Sequence, residues 1–111
     1  MTTAPQSALV FVKARATRWV SDEPFPGLVE VELTDGSGKA WTFVDKYPMF
    51  GPGDDLRPDG RYPINLTLAC TVIDRTSNTV TISTAQPWGL ESVNGTYHFV
   101  MRPDQIVIEP D

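Results

Sequence analysis

The residue types that could carry chemistry are few, and they are scattered. The only histidine, His98, lies in "AQPWGLESVNGTYHF" (residues 85–99), together with Trp88 and Glu91. A histidine general base needs an orienting acid and a nucleophile within reach. Glu91 and Asp104 are the acids nearest to it in sequence. Strand alternation, however, sets His98 beside Val100 and Arg102 and opposite the bulkier Tyr97, Phe99 and Met101. His98 is therefore expected on an outer face, without a complete catalytic set.

Cys70, the single cysteine, falls on an apolar stripe with no neighbouring cation, so it reads as a small core hydrophobe and not a thiolate nucleophile. One Cys and one His cannot supply the four ligands of a structural zinc site. No metal site and no cofactor is expected. "GPGDD" (51–55) has the glycines of a phosphate cradle but lacks the lysine and following helix. Asp54, Asp55 and Asp59 lack the spacing of a twelve-residue calcium loop. Turn chemistry accounts for them.

Lys13, Arg15 and Arg18 make one segment locally basic. If "SDEPFPG" turns residues 8–20 back onto "LVEVELT" (28–34), Arg15 meets Glu32 and Lys13 meets Thr34, and the two strands neutralise each other. No segregated basic patch for nucleic acid follows. The formal net charge of −5 repels phosphate backbones and anionic lipid. Nucleic acid and membrane are therefore not expected as partners.

The elements that would position these groups are strands. Alternation with period two, punctuated by Gly, Pro, Asp and Asn, recurs along the chain. It predicts strands at 8–20, 28–34, 39–46, 64–74, 79–85 and 96–102, with 105–109 either a short seventh or a continuation of the sixth past Pro103. The clearest apolar stripe is Ile64, Leu66, Leu68, Cys70 and Val72. In "DGSGK" a three-residue loop, Gly36-Ser37-Gly38, puts Leu33 opposite Trp41 and Val31 opposite Phe43 on one face, with Gly38 left-handed. A similar loop in "DRTSN" is expected to bring Val72 to Val80 and Cys70 to Ile82. Asn94-Gly95 predicts a tight turn between a short strand and strand six. The prediction is a single all-β domain over 1–111, an antiparallel barrel or sandwich of six to seven strands with little or no helix, its first seven residues loosely held.

At 111 residues and 41% hydrophobic content the chain is one folded domain. It has no run of ~20 apolar residues for a membrane helix. "MTTAPQSALVFV" lacks the basic start of a signal peptide. With one cysteine, a reducing, cytoplasmic setting is expected.

The function expected is a non-catalytic protein-binding module: an accessory, regulatory or inhibitory partner, of which a bacterial immunity or antitoxin-like protein is one example. The contact residues expected are Asp45, Lys46, Tyr47 and Phe50 from "FVDKYPMF", Asp54 and Asp55 beyond it, and Trp88 and Glu91 from the later connection. They lie on irregular, aromatic-bearing segments, where binding residues concentrate. The alternatives are a small-ligand barrel with Trp41, Tyr62, Trp88 and Tyr97 at its mouth, or a small enzyme using Asp45, Glu91 or His98. Monomer and homodimer are equally compatible with the sequence.

Overall fold

The computed structural model describes residues 9–50 and 56–107. Asp54, Asp55 and the N-terminal seven residues lie outside the described residues. Seven strands form in chain order: β1 (Leu9–Ser21), β2 (Leu28–Thr34), β3 (Ala40–Lys46), β4 (Ile64–Arg75), β5 (Val80–Ser83), β6 (His98–Met101) and β7 (Ile106–Val107). The only other regular pieces among the described residues are single 3-10 turns at Tyr47–Phe50 and Pro103–Gln105. No helix among the described residues is long and apolar enough to cross a membrane.

All pairings are antiparallel, in the order β3-β2-β1-β4-β5-β6, with β7 added to β1. β1 is long enough to serve three neighbours. Residues 9–16 pair with β4, 15–21 with β2, and 11–12 with β7. Register shifts between Ala16 and Arg18 and between Trp19 and Ser21 bend it. The sheet curls into a half-barrel. Its two end strands, β3 and β6, approach each other without a ladder. Phe99 of β6 lies 5.2 Å from the Trp41 ring and 5.7 Å from the Phe43 ring, both on β3. The Gly36 N–H donates to the Val100 carbonyl at 2.8 Å, and the Val93 N–H donates to the Thr42 carbonyl at 2.8 Å. Curling in this way hides the two edges that would otherwise be open to another chain.

The concave side is filled. Val12, Val29, Val31, Leu33, Phe43, Leu68, Cys70, Val80, Ile82, Leu90, Phe99 and Met101 are all essentially without solvent contact. The stripe read from β4 points inward in its centre, at Leu68 and Cys70. The β2–β3 register is the expected one, with Leu33 opposite Trp41 and Val31 opposite Phe43. Its loop closes through Asp35 N–H to Lys39 O at 2.8 Å, with Gly38 at φ +91°.

The β4–β5 register differs from the expectation. Val72 faces Ile82 and Arg75 faces Val80, with an irregularity between Val72 and Asp74. The loop has two residues, Ser77 and Asn78. It is closed by Thr76 N–H to Thr79 O at 2.9 Å, and the Thr76 hydroxyl accepts from the Asn78 and Thr79 N–H groups. The threonine hydroxyl replaces a backbone partner, and Ile73 is the extra residue that restores the alternation, left exposed on the bulge.

The 84–97 connection also departs from the sequence reading, since it contains no strand. Asn94-Gly95 does turn, through Gly95 N–H to Ser92 O at 2.8 Å and Ser92 N–H to Thr96 O at 2.9 Å, but pairing stops there. The Thr84 hydroxyl, fully buried, donates to the Leu90 carbonyl, and the Leu90 N–H returns to the Thr84 carbonyl at 2.9 Å. The segment folds back on itself, buries Leu90 and Ser92, and reaches β3 through Val93.

Candidate functional site

Antiparallel connectivity sends the β1–β2, β3–β4 and β5–β6 connections out of the same end of the sheet. The β2–β3 and β4–β5 hairpins leave at the other end. The two segments expected to bind, from "FVDKYPMF" and from the later connection, are thereby brought to one end. Their described residues, 22–27, 47–50, 56–63 and 84–97, carry four carboxylates, Asp22, Glu23, Asp59 and Glu91, against two cations, Arg57 and Arg61. Two of these carboxylates, Asp22 and Glu23, belong to the β1–β2 connection, which carries no cation.

The most exposed of the large apolar side chains described is Phe25, 88% accessible at the tip of the β1–β2 connection. Its segment is held at both ends. The Glu23 N–H donates to the Ser21 hydroxyl at 3.0 Å, and the Trp19 indole N–H donates to Asp22 at 2.8 Å. On the far side the Gly27 N–H donates to the Pro24 carbonyl at 2.8 Å, and the Gly27 carbonyl accepts the Tyr47 N–H at 3.1 Å. Gly27 has φ +123°, and a Cβ there would fall inside the Trp19 ring. Only glycine fits. Trp19 and Tyr47 pack with ring centroids 5.8 Å apart, joining the Phe25 tip to the start of the β3–β4 connection.

Around this tip the expected contact residues take different positions. Lys46 is exposed and pairs across β3–β2 with Leu28. Asp45 is half-buried, and its carboxylate accepts the backbone N–H of Lys46 at 2.8 Å, so it shapes the end of β3 instead of pairing with the lysine ammonium. Tyr47 is half-buried against Trp19. Phe50 is 4% exposed and belongs to the core, which removes it as a contact residue. It is the last residue of the Tyr47–Phe50 3-10 turn, which rotates it inward. Trp88 is 52% exposed and Glu91 is exposed, both on the 84–97 connection. Trp88 therefore does not plug the barrel. Leu90, two residues on, is the anchor.

Phe25 was missed by sequence reasoning because alternation stops at Ser21 and resumes at Leu28, so no pattern assigned it to a face. The available signal was a large aromatic between two prolines in a turn. Proline has no N–H to pair, so such a residue has no strand to bury it.

Catalytic and metal chemistry find no assembled groups among the described residues. His98 is exposed on the outer face of β6, opposite Ser83, and its side chain makes no hydrogen bond or ion pair among the described residues. No three metal-capable side chains cluster among the described residues. Cys70 is fully buried with its thiol toward the Val10 carbonyl at 3.6 Å, and desolvation pushes its pKa up to about 12. Arg15 pairs with Glu32 at 3.1 Å as expected, and Arg18 adds a pair with Glu30 at 3.2 Å, but the β1–β2 ladder begins at Arg15, so the expected Lys13–Thr34 pair does not form. The Thr17 hydroxyl donates to Glu30 and, with Arg18, holds its pKa low against the opposing cost of burial. Of the four aromatics expected at the mouth of a ligand barrel, Trp41 packs at the β2–β3 hairpin end, where its indole donates to Asp35, while Tyr62, with its hydroxyl on the Arg57 carbonyl, Trp88 and Tyr97 lie on connections at the other end.

No protein-family model, curated protein or solved structure matches this chain.

Proposed function

We propose that this protein is a non-catalytic binding module that docks its loop end on a basic, partly apolar surface of another protein. The observation that carries this reading is Phe25, an 88% exposed aromatic whose segment is fixed by hydrogen bonds on both sides. An exposed phenylalanine forfeits its burial energy, about 2 kcal/mol for a side chain of this size. Presenting it from a pre-organised turn lowers the ordering cost of association, which is how aromatic anchors become dominant contacts. Trp88, on a second connection of the same end, is a further anchor. The surrounding carboxylates favour a cationic partner and speed encounter with it. An acidic end of this kind also disfavours nucleic acid and anionic membranes. A cytoplasmic location fits the buried, unpaired Cys70.

The test is photo-crosslinking from position 25 in source cells, with position 77 at the opposite end as control. A partner captured only from position 25 is purified and titrated with Phe25→Ala and Trp88→Ala. Affinity is expected to fall by about 2 kcal/mol for Phe25→Ala, with an unchanged melting temperature. A partner whose affinity ignores both substitutions, or equal capture from position 77, refutes the reading.

A further inference from the structure

Midway along β1, the outer surface inverts the sign of the molecule. β1 exchanges β2 for β7 as its neighbour near Lys13 and Ala14, since its pairing with β2 begins at Arg15 and its pairing with β7 ends at Val12. The Pro103–Gln105 turn crosses beside this junction. Between them lies an open groove of about 540 Å³, lined by the cations Lys13, Arg15 and Arg102, with Asn65 and Gln105 supplying amides. Its volume falls within the range of small-molecule sites, roughly 300–1,000 Å³.

Three features make this groove a recognition site instead of a solvated dip. Its two lining carboxylates are each tied to an arginine by one bond, Glu32 to Arg15 at 3.1 Å and Asp104 to Arg102 at 3.0 Å. Each guanidinium has five N–H donors, so both retain donors for a ligand. Lys13 makes no ion pair among the described residues. The wall is braced across the gap. The Gln105 side-chain amide donates to the Thr34 carbonyl at 3.0 Å, while its oxygen accepts the Arg102 N–H at 2.8 Å. Three cations facing two engaged carboxylates leave a local excess of positive charge on a chain of net charge −5. A concave wall concentrates that potential. The excess suits one small anionic group and is too small for a polyanion such as nucleic acid.

We infer that this groove binds the anionic head, phosphate or carboxylate, of a small molecule, independently of the loop end. Lys13 and Arg102 take the charge, and Asn65 takes a neighbouring polar group. The test is a two-dimensional amide NMR titration of the whole protein with inorganic phosphate, with citrate, and with glucose as the uncharged control. Saturable shifts confined to residues 13–15, 34, 65, 102, 104 and 105 are expected with one of the anions and not with glucose. Lys13→Met and Arg102→Gln, in separate segments, are each expected to weaken binding at least tenfold, and Arg75→Gln to leave it unchanged. The dispersion of each spectrum reports folding. Shifts that do not saturate by tens of millimolar, shifts spread equally over Arg75 and Lys46, or affinity unchanged in both groove variants would overturn the inference. Phosphate and citrate acting separately identify which head the site prefers.

Discussion

Asp35 is the buried carboxylate on which the β2–β3 hairpin is built, and its replacement gives the sharpest quantitative test. It is 8% exposed. One oxygen accepts the Ser37 N–H at 2.9 Å, the Ser37 hydroxyl at 2.7 Å and the Lys39 N–H at 3.0 Å, while the other accepts the Trp41 indole N–H at 2.9 Å. Desolvation alone would raise its pKa. The donors, led by Trp41 and Ser37, outweigh it and bring the value down from 3.8 to about 2. Because the folded value is the depressed one, the stabilisation is fully present above the unfolded pKa and is lost as pH falls through the folded value. Each tenfold change in proton affinity is about 1.4 kcal/mol, so the contribution at neutral pH is on the order of 2 kcal/mol. Asn at 35 keeps one acceptor oxygen but turns an NH2 toward the indole N–H, donor against donor. Adding an unmet indole donor, Asp35→Asn is expected to cost about 2–4 kcal/mol at neutral pH. For a domain of this length that is roughly 10 °C or more in melting temperature. Urea unfolding of wild type and variant measures it. By about pH 2.5 most of the wild-type advantage from ionisation is gone, so the gap between the two proteins must narrow. A gap of equal size at neutral and acid pH would show that the carboxylate is not ionised and hydrogen-bonded as described.

Other substitutions test separate parts of the fold. Gly27→Ala forces a Cβ into the Trp19 ring at a positive φ and is expected to destabilise by about 1–3 kcal/mol; a melting temperature equal to wild type contradicts the packing of the Phe25 turn. Leu68→Ala empties a site that is 1% exposed and is expected to cost about 2–5 kcal/mol in chemical denaturation, against a few tenths at most if the inward face of β4 were misassigned. Cys70, with its thiol pKa pushed up to about 12 by burial, is expected to react with a thiol reagent only after denaturant is added, and rapid stoichiometric labelling of the folded protein would refute this.

The sequence by itself determined what local rules can determine. Period-two alternation in a chain with no helical stripe made the strands legible, because adjacent side chains on a strand face opposite sides and one side must be dry. The Gly36-Ser37-Gly38 loop and its register followed from the same rule, since a one-residue slip would have turned Trp41 and Phe43 away from Leu33 and Val31. The Arg15–Glu32 pairing and the burial of Cys70 were legible for the same reason. Where a local choice had two near-equal solutions, the sequence did not decide. "DRTSN" can close through two residues or three. The Thr76 hydroxyl and the bulge at Ile73 selected the former, and that is an energy difference between packed alternatives, not a pattern in the letters. The positions of Phe50 and Trp88 were likewise undetermined, since an aromatic in a loop carries no face until neighbouring strands supply one. Phe50 is inside because a 3-10 turn rotates it over the end of the core, and Trp88 is outside while Leu90, two residues on, is the buried anchor of that connection. The gathering of three connections at one end, and of Lys13, Arg15 and Arg102 around one groove, joins residues up to ninety positions apart. It follows from the order in which seven strands hydrogen-bond, which only the folded chain fixes.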